Sequence, residues 1–598
     1  MPSYTAPVED VLFLLNDVLN FGNFNNLPGF SEATPDLVEA ILKEGGKFCE
    51  EVVQPLNQTG DTEGCTRHED GSVSTPTGFS DAYTAYSEAG WGSLSADPEF
   101  GGQGLPSTIA AVLNEFFTSA NMAFSMYPGL TQGAIAALTL HGTDEQKKTY
   151  LPKLISGEWT GTMNLTEPHC GTDLGLIRTK AVANGDGSYK ISGTKIFISA
   201  GEHDLAENIV HLVLARIEGA PEGTKGISLF VVPKFIVKEG DTPGDRNQVV
   251  CGSLEEKMGI HGNSTCVMNY DEATGWLVGE ENKGLRAMFT MMNEARLGVA
   301  IQGLAQSEVA YQNAAEYARD RLQGRALSGP QEADKAADPI IVHPDVRRTL
   351  MTIRAFNEAA RALVLWTSLS GDVSHRSDDE QDRQSASDLM GLMTPVLKGV
   401  LTDKGFDNAV NAQQMFGGHG YIAEWGMEQF VRDARIAMIY EGANGIQALD
   451  LVGRKLPANG GRAIMAFFNE VDGFIKENGE DAALVEFVKP LKKGLDDLQQ
   501  ATMWFMNNAM AKPDNAGAGS TDYMHLFGLV ALGYMWAKMA KTAVSKLAGG
   551  AAEQETFLNN KLVFGRFYME RMMPETQTRL ARITAGADTV MTLPAEAF

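Results

Sequence analysis

One carboxylate stands where it could act as a base. Glu441 lies between the apolar segment 436–440 and the glycine-rich turn 442–445. Apolar neighbours disfavour the charged form of a carboxylate and raise its pKa, which suits proton abstraction near neutral pH. From this segment alone, the ordinary alternative of a solvated cap or an ion-pair partner of an arginine stays open. Apolar residues then recur at the spacing of an amphipathic helix: Ile446, Leu449, Val452 and Leu456.

Three further segments have residue types that suit a flat or phosphorylated ligand. The loop 163–173 combines hydroxyls with a Gly171–Asp173 turn, which can offer donors to carbonyl or phosphate oxygens. The strand 195–201 carries an aromatic residue and a hydroxyl that could stack on a flat ring and bond to it. The glycines of segment 414–421 allow a ligand to approach the backbone closely. Taken singly, these segments are more simply explained as a hairpin turn, a core strand and an interhelical loop.

Other reactive residue types lack catalytic spacing. The ten histidines form no H-x-x-x-H pair, and the five cysteines form no C-x-x-C pair, so we expect neither a metal site nor a disulfide framework. There is no G-x-S-x-G segment to nominate a nucleophilic serine. Cys170 follows His169, but neighbours in sequence are not a base and nucleophile in space, and we interpret Cys170 as structural.

Charge and hydropathy restrict the class of protein. The chain has 76 acidic and 49 basic residues, a net charge of −27, which argues against a protein that wraps nucleic acid or binds an anionic membrane. The most apolar late stretch, 525–538, is shorter than the ~20 residues of a membrane-spanning helix, and predicts a buried core helix. Residues 1–10 lack the basic start of a secretory signal. We therefore expect a cytoplasmic protein.

The period of the apolar residues divides the chain into four regions that must position these segments. Helical spacing alternates once with strand spacing, so the fold class is α+β and mostly α, without the strand–helix alternation of a doubly wound sheet. Polar stretches at 328–338 and 371–387 predict exposed loops, and 512–520 predicts a linker. The expected domains are an N-terminal helical domain, a central β domain, a helical domain with Glu441 and an extra helical domain: 1–160, 161–279, 280–457 and 461–598.

In this order, the four segments resemble the acyl-CoA dehydrogenase family. The similarity covers roughly residues 40–457 and includes the helix entry Gly142–Lys147 and the segment Tyr317–Gly324. It implies an acyl-CoA dehydrogenase-like fold, in which an N-terminal helical domain, a central β-barrel domain and a helical bundle share one FAD. The extra C-terminal helical domain is similar to that of a long bacterial branch of the family.

The resemblance also implies roles for individual residues. Glu441 matches the catalytic base, and Gly298 occupies the position from which some relatives supply that base. Phe197 replaces the usual tryptophan, and Asn293 the usual aspartate. Implied FAD contacts are Met163, Leu165, Thr166, Gly171, Thr172, Phe197, Ser199, Arg321, Gln323, Gln414, Gly418, Ala443 and Gly445. Of these, the resemblance assigns Arg321, Gln323, Gln414 and Gly418 to the FAD of a neighbouring subunit. Implied substrate contacts are Thr172, Asn293, Arg296, Gly442 and Arg454.

The implied reaction is α,β-dehydrogenation of a short-chain acyl-CoA thioester, with 3-methylthiopropionyl-CoA as the first expectation. A medium- or long-chain acyl-CoA dehydrogenase and an acyl-CoA oxidase that uses dioxygen are the alternatives. A DNA-associated flavoprotein of the same fold is a further one, against which the acidic region 461–598 argues. The implied partners are an electron-transfer flavoprotein and a second copy of the chain in a homodimer, with no nucleic acid and no membrane.

Overall fold

The chain folds into two compact units. The computed structural model describes residues 2–238 and 242–598, apart from the side chains of residues 293 and 294. The β unit comprises Glu44–Gly298, and the helical unit comprises residues 1–43 together with Val299–Phe598. The four predicted domain ranges stay a prediction beside this division.

Short helices and all the described strands lie in the first half of the chain. The helices are α1 (Val8–Leu12), α2 (Pro35–Phe48), α3 (Asn57–Glu63), α4 (Phe79–Glu88), α5 (Ser107–Ala120), α6 (Met122–His141) and α7 (Asp144–Ser156). The strands are β1 (Thr66–Arg67), β2 (Val73–Ser74), β3 (Trp159–Asn164), β4 (Lys180–Ala183), β5 (Ser188–Ser199), β6 (Asn208–Ile217), β7 (Ser228–Pro233), β8 (Phe235–Lys238), β9 (Thr242–Arg246), β10 (Val249–Leu254) and β11 (Thr265–Val278).

Longer helices make up the second half. They are α8 (Gly284–Asp320), α9 (Pro344–Arg376), α10 (Glu380–Met415), α11 (Met427–Ala437), α12 (Asn444–Asp450), α13 (Arg462–Asn478), α14 (Val485–Asn508), α15 (Asp514–Ala548), α16 (Glu555–Arg571), α17 (Glu575–Thr584) and α18 (Asp588–Met591).

The main sheet of the β unit closes into a small barrel. β11, β5, β4, β6 and β7 pair in a ring that returns to β11, while β10 and β3 extend it at β11 and β6. Side chains of β6 and β7 alternate between two cores: Leu212 and Val231 face α6 and α7, and Val213 and Phe230 face the barrel interior. Both faces are buried, which explains why these strands read as continuous apolar runs.

Two polar stretches of the helical unit form helix rather than the predicted irregular structure. The predicted loop 371–387 contains the end of α9 and the start of α10, with a break only at residues 377–379. Asp379 caps α10, accepting hydrogen bonds from the backbone N–H groups of Gln381 and Asp382. The predicted linker 512–520 is wrong for the same reason: α15 begins at Asp514. Acidic or small residues at helix starts imitate the composition of loops.

The predicted buried core helix is confirmed in α15. Almost every residue from Tyr523 to Ala543 is buried, so the helix is apolar on all sides. Over the part of the chain that the structure describes, no helix is long and apolar enough to cross a membrane.

A buried ionic network ties the start of the helical unit to its end. Asp10 of α1 bonds to both Arg361 of α9 and Lys561 of α16. Lys561 Nζ also lies 2.7 Å from an oxygen of Glu358, and Arg361 lies 3.1 Å from Glu308. Burial alone would raise the pKa of Asp10, but the charges of Lys561 and Arg361 outweigh it and hold that pKa below its ordinary value. The network therefore requires all these partners together.

Two histidines are buried in the β unit as neutral rings. His203 Nε2 lies 2.9 Å from Thr160 Oγ1, and His211 Nδ1 lies 2.7 Å from Thr162 Oγ1. Burial, with a smaller contribution from Lys234, lowers the pKa of each ring to about 3. Neither ring can therefore gain a proton in the folded state at mildly acidic pH.

We expect the β unit to lose stability as the pH falls from about 6.5 to about 3. In this range the two histidines are protonated in the unfolded chain but stay neutral in the folded one. Each histidine contributes a slope of about 1.4 kcal/mol per pH unit within this window. Replacing His203 with glutamine should lower the pH dependence of the unfolding free energy by the contribution of one histidine, about 1.4 kcal/mol per pH unit. Urea unfolding followed at several pH values measures the slope, and an unchanged slope in the variant would contradict the assignment.

Candidate active site

The turn that carries Glu441 has a strained backbone. α11 ends at Ala437 and α12 begins at Asn444. Between them, Glu441 and Gly442 have φ angles of +57° and +87°. A glutamate in the left-handed region costs about 1–3 kcal/mol, persists only where neighbours hold it, and is typical of functional sites. The side chain of Glu441 is half-buried.

Two side chains hold this turn through its carbonyl groups. Gln447 Nε2 donates to the carbonyl oxygens of both Glu441 and Gly442, at 3.1 Å each. Lys398 Nζ lies 2.8 Å from the Gly442 oxygen and 2.8 Å from Asn444 Oδ1. A Cβ on Gly442 would lie 2.6 Å from Gln447 Nε2, so a larger residue cannot occupy this position without displacing the glutamine. The buried donors Gln447 and Lys398 thus fix the backbone of the turn.

Sequence reasoning missed Lys398. It lies in α10 within the buried run Leu392–Leu401 and is itself fully buried. A lysine inside an otherwise apolar helical run was the available signal, because a buried ammonium group requires acceptors supplied by another segment.

Tyr440, which precedes Glu441, is a neutral side chain. Its hydroxyl donates to Gln302 Oε1 on α8. Burial, followed by the nearby charge of Glu441, raises the pKa of Tyr440 far above its ordinary value. Tyr440 therefore stays protonated and ties the turn to α8.

The helix after the turn differs from its prediction. α12 does begin at Asn444, but Ile446 and Leu449 are exposed, and only Val452 and Leu456 of the predicted apolar face are buried. The helix changes to a wider π-helical turn at Leu451–Lys455, which shifts the buried face away from the regular spacing. Three predicted contact residues on this segment are exposed: Ala443, Gly445 and Arg454.

In the β unit, a buried glutamate organises the loop predicted to meet the flavin. Glu167 accepts hydrogen bonds from Lys195 Nζ at 2.9 Å and from Thr179 Oγ1 at 2.6 Å. Lys195 Nζ also donates to the Leu165 carbonyl at 3.0 Å. Burial opposes the charge of Glu167, but Lys195 prevails and lowers the pKa of this carboxyl. The Glu167–Lys195 pair is the second feature that sequence reasoning missed.

A β-bulge turns Phe197 outward. Ile196 and Phe197 of β5 face a single residue of β11, and Phe197 has a φ of +60°. Its ring is 59% exposed although it lies between two strand residues. Bulges next to active sites re-aim a side chain in this way, and here the ring faces solvent rather than the core.

The structure brings several predicted cofactor contacts together within the β unit. The Thr166 carbonyl accepts the Ile196 N–H at 2.9 Å, which places the loop end beside the bulge of Phe197. A Cβ on Gly171 would lie 3.4 Å from Thr166 Cγ2, so these two residues are also neighbours. Of the remaining four, Leu165 and Thr172 lie on the same loop, Ser199 ends β5, and Met163 lies on β3, which leads into the loop.

A second group of predicted contacts lies at one end of α8 and α10. Tyr317 stacks on Phe416 with ring centroids 4.1 Å apart, and its hydroxyl lies 2.9 Å from His419 Nδ1. These contacts bring the segment after α8 next to the segment after α10. Four exposed residues are thereby gathered: Arg321, Gln323, Gln414 and Gly418.

One aspartate shapes the loop that follows Gln323. Asp338 is buried and accepts backbone N–H bonds from Ala326, Gln331 and Glu332. These bonds lower the pKa of Asp338 to about 2. The predicted exposed loop 328–338 is confirmed as irregular, but it is organised around this buried carboxylate.

The predicted substrate contacts on α8 are only partly described. The side chain of Asn293 lies outside the described residues. Arg296 is half-buried, and its Nε is buried without a hydrogen-bond partner among the described residues. A buried donor in this state suits a polar or anionic ligand.

Three potential metal ligands lie close together, but one of them already accepts hydrogen bonds from other side chains. Ligand atoms of Glu167, His169 and Cys170 are within 4.8 Å of one another. The Glu167 carboxylate is occupied by Lys195 and Thr179, and burial raises the pKa of the Cys170 thiol, which disfavours the thiolate. We therefore interpret these three residues as groups that stabilise the loop rather than as metal ligands.

The residues of the β unit fit a flavin. Phe197 offers an exposed ring for a flat face, while Thr166 and Ser199 offer hydroxyls for a polar edge. Thr265, the cross-strand partner of Ser199, has a buried hydroxyl without a partner among the residues described. Hydroxyls beside an exposed aromatic ring suit a planar ligand with carbonyl and nitrogen acceptors.

Comparison with protein families accounts for nearly the whole chain. Residues 36–158, 162–273 and 282–456 match the N-terminal, middle and C-terminal domains of acyl-CoA dehydrogenase. Residues 467–594 match a domain described as acetyl-CoA dehydrogenase C-terminal like. These matches confirm the fold predicted from the four segments, including the extra helical domain.

Individual relatives match over full length. The chain is 44% identical over 599 residues to 3-methylmercaptopropionyl-CoA dehydrogenase of Ruegeria pomeroyi, covering 99% of each chain. It is 35% identical to the broad-specificity linear acyl-CoA dehydrogenase FadE5 of Mycobacterium tuberculosis, covering 100% of each. The structure of a Bacillus anthracis acyl-CoA dehydrogenase complexed with FAD has a TM-score of 0.71 at 22% identity, covering 92% of each chain. The chain therefore belongs to the acyl-CoA dehydrogenase family and is an FAD-dependent oxidoreductase that acts on acyl-CoA.

Proposed function

We propose that the chain dehydrogenates a short-chain acyl-CoA between Cα and Cβ, and that 3-methylthiopropionyl-CoA is its preferred substrate. The observation that carries this proposal is the 44% identity to 3-methylmercaptopropionyl-CoA dehydrogenase along the entire chain. Because the match leaves out no large segment, it includes every part of the chain that could line an acyl site, which supports this proposal. The 35% identical relative FadE5, named for broad specificity, supports longer linear acyl chains as the second candidate.

In this proposal Glu441 removes the α-proton of the thioester. The strained turn fixes the start of its side chain; Gln447 holds the carbonyl oxygens of Glu441 and Gly442, and Lys398 also holds that of Gly442. FAD, when bound, supplies the acceptor for the hydride that leaves Cβ. The protein has to hold the carboxylate of Glu441 against the α-carbon and exclude water from it. Thr166, Ser199 and Phe197 are proposed to hold the cofactor.

We also propose that the electrons pass to an electron-transfer flavoprotein and that the enzyme acts as a homodimer. The exposed group Arg321, Gln323, Gln414 and Gly418 supports the dimer, since the resemblance assigns these residues to a neighbouring subunit's FAD. The neighbouring side chains Leu327 and Tyr421 are 90% and 88% exposed, which is unusual for large apolar groups. Light scattering during size-exclusion chromatography measures the mass, and a monomer would contradict this part.

The substrate proposal predicts a ranking of kcat/KM. We expect 3-methylthiopropionyl-CoA to exceed octanoyl-CoA by at least about 10-fold, because one misplaced methylene is worth about 1–3 kcal/mol in an apolar pocket. Propionyl-CoA and butyryl-CoA should fall between them. Assays with an electron-transfer flavoprotein as acceptor measure the ranking.

The kcat/KM ranking and two further measurements separate the alternatives. A preference for octanoyl-CoA or longer chains would replace the short-chain proposal with a fatty acyl-CoA dehydrogenase. Stoichiometric peroxide without the acceptor protein would indicate an oxidase. A shifted DNA band at moderate salt would indicate a nucleic-acid-associated function.

A further inference from the structure

The extra helical region packs directly behind the turn that carries Glu441. Its central helix, α15, approaches α10 so closely that a Cβ on Gly399 would lie 2.2 Å from Met524 Sδ. Similarly, a Cβ on Gly528 of α15 would lie 2.7 Å from Val400 of α10. Gly399 is next in sequence to Lys398, the residue that holds the turn. The two helices therefore touch at the point where the turn is supported.

A chain of hydrogen bonds leads from α15 to the turn. His525 Nε2 lies 2.9 Å from Asp403 Oδ2, and the other oxygen of Asp403 accepts a bond of 2.6 Å from Asn444 Nδ2. Asn444 Oδ1 accepts the bond from Lys398 Nζ, which also bonds to the Gly442 carbonyl. His525, Asn444 and Lys398 are all buried. Asp403 is partly exposed, so water competes little for the bonds at three of the four residues.

The side-chain amide of Asn444 links α10 to Lys398 in one orientation. Its Nδ2 also donates to Thr402 Oγ1 at 2.9 Å, so the carboxamide plane is fixed by acceptors on α10. With the plane fixed, Oδ1 can point only toward Lys398. Asp403 holds one of the two amide hydrogens of Asn444, and His525 holds the free oxygen of Asp403. A change at His525 therefore reaches the Gly442 carbonyl through three side chains, those of Asp403, Asn444 and Lys398.

We infer that His525 is a positioning residue for the catalytic turn, and that the extra C-terminal region contributes to catalysis through it. This inference rests on the proposed role of Glu441 as the base. His525 touches neither substrate nor cofactor in this scheme. It orients Asp403, which orients Asn444 and, through Lys398, the carbonyl of Gly442 that follows Glu441. A displacement of about 1 Å at the reacting group can lower a rate by about 100-fold.

The test uses the full-length holoenzyme with His525→Leu, His525→Gln and Tyr534→Phe. Leucine removes the donor, and glutamine keeps an N–H group at similar reach. Tyr534 lies on α15 like His525, and Tyr534→Phe removes its 2.6 Å bond to Glu470 of α13. We expect His525→Leu to slow anaerobic bleaching of the flavin by saturating acyl-CoA about 10- to 100-fold, with KM within about twofold. His525→Gln should recover most of this rate, and Tyr534→Phe should match the wild type.

Hydrogen–deuterium exchange gives a readout that does not depend on turnover. We expect the peptide 438–447 to exchange faster in His525→Leu, because its carbonyls lose their fixed donor. The same peptide should be unchanged in Tyr534→Phe. Should His525→Leu fail to fold, Asp403→Asn takes its place with the same expected directions.

Several results would overturn the inference. These are bleaching within twofold of wild type in His525→Leu, an equal loss in Tyr534→Phe, no recovery in His525→Gln, or unchanged exchange at 438–447. Glu441→Gln distinguishes this failure from failure of the proposed function. If Glu441→Gln still bleaches normally, the assignment of the base is wrong; if it does not bleach while His525→Leu does, only the inference fails.

Discussion

Replacing Glu441 with glutamine should leave the protein folded and yellow but unable to transfer hydrogen from its substrate. Glutamine has the same shape and can adopt the same turn, because Gln447 and Lys398 bind backbone carbonyls rather than the Glu441 carboxylate. It cannot accept the α-proton, and a general base contributes about 10²- to 10⁴-fold. Stopped-flow absorbance should show that anaerobic bleaching by acyl-CoA slows by about this factor.

A second glutamate supplies the control. Glu424 lies on an exposed turn between α10 and α11, and Glu424→Gln makes the same chemical change outside the candidate site. Its bleaching rate should equal that of the wild type. Normal bleaching in Glu441→Gln would show that another residue takes the proton. The position Gly298, which has no side chain, could not be that residue.

The second large effect is expected from Lys195→Met. The substitution leaves the buried carboxylate of Glu167 without its cation and releases the Leu165 carbonyl at the candidate flavin loop. Breaking a buried ion pair by removing one partner costs about 3–5 kcal/mol. At about 2–4 °C per kcal/mol for a unit of this size, the melting temperature should fall by roughly 6–20 °C. The flavin content per chain should fall as well.

Strand β5 offers a matched control for this experiment. Lys190 lies on the same strand and pairs with Glu272 at 2.6 Å, but both side chains are exposed to solvent. Lys190→Met should cost less than about 1 kcal/mol, because solvent screens such a pair. Equal melting temperatures for the two variants would contradict the role given to the Glu167–Lys195 pair.

The pattern of the sequence predicted the fold well because the fold depends on local period. Continuous apolar runs became barrel strands with two buried faces, and the apolar stretch after His525 became the core helix α15. The errors at 371–387 and 512–520 share one cause. Acidic and small residues are compatible with both loops and solvated helix starts, and only packing decides between them.

The sequence predicted only those parts of the candidate site whose residues lie close together along the chain. Glu441 and its glycine-rich turn are neighbours in sequence, so their chemistry was visible. Lys398 lies 44 residues from the Gly442 carbonyl that it binds, and His525 lies 122 residues from Asp403. A lysine or histidine in an apolar run indicates a buried partner but does not identify it. The support of the site depends on such long-range pairs.

The pairing of Asp10 with Lys561 has a consequence for biosynthesis. The two residues are 551 positions apart, so the first helix cannot complete its ionic contacts until α16 has left the ribosome. At about 5–20 residues per second, that wait lasts roughly 30–110 s. During this time the nascent N-terminus has no lysine to neutralise Asp10 from that side. The helical unit therefore completes its ionic network only after Lys561 has been synthesised.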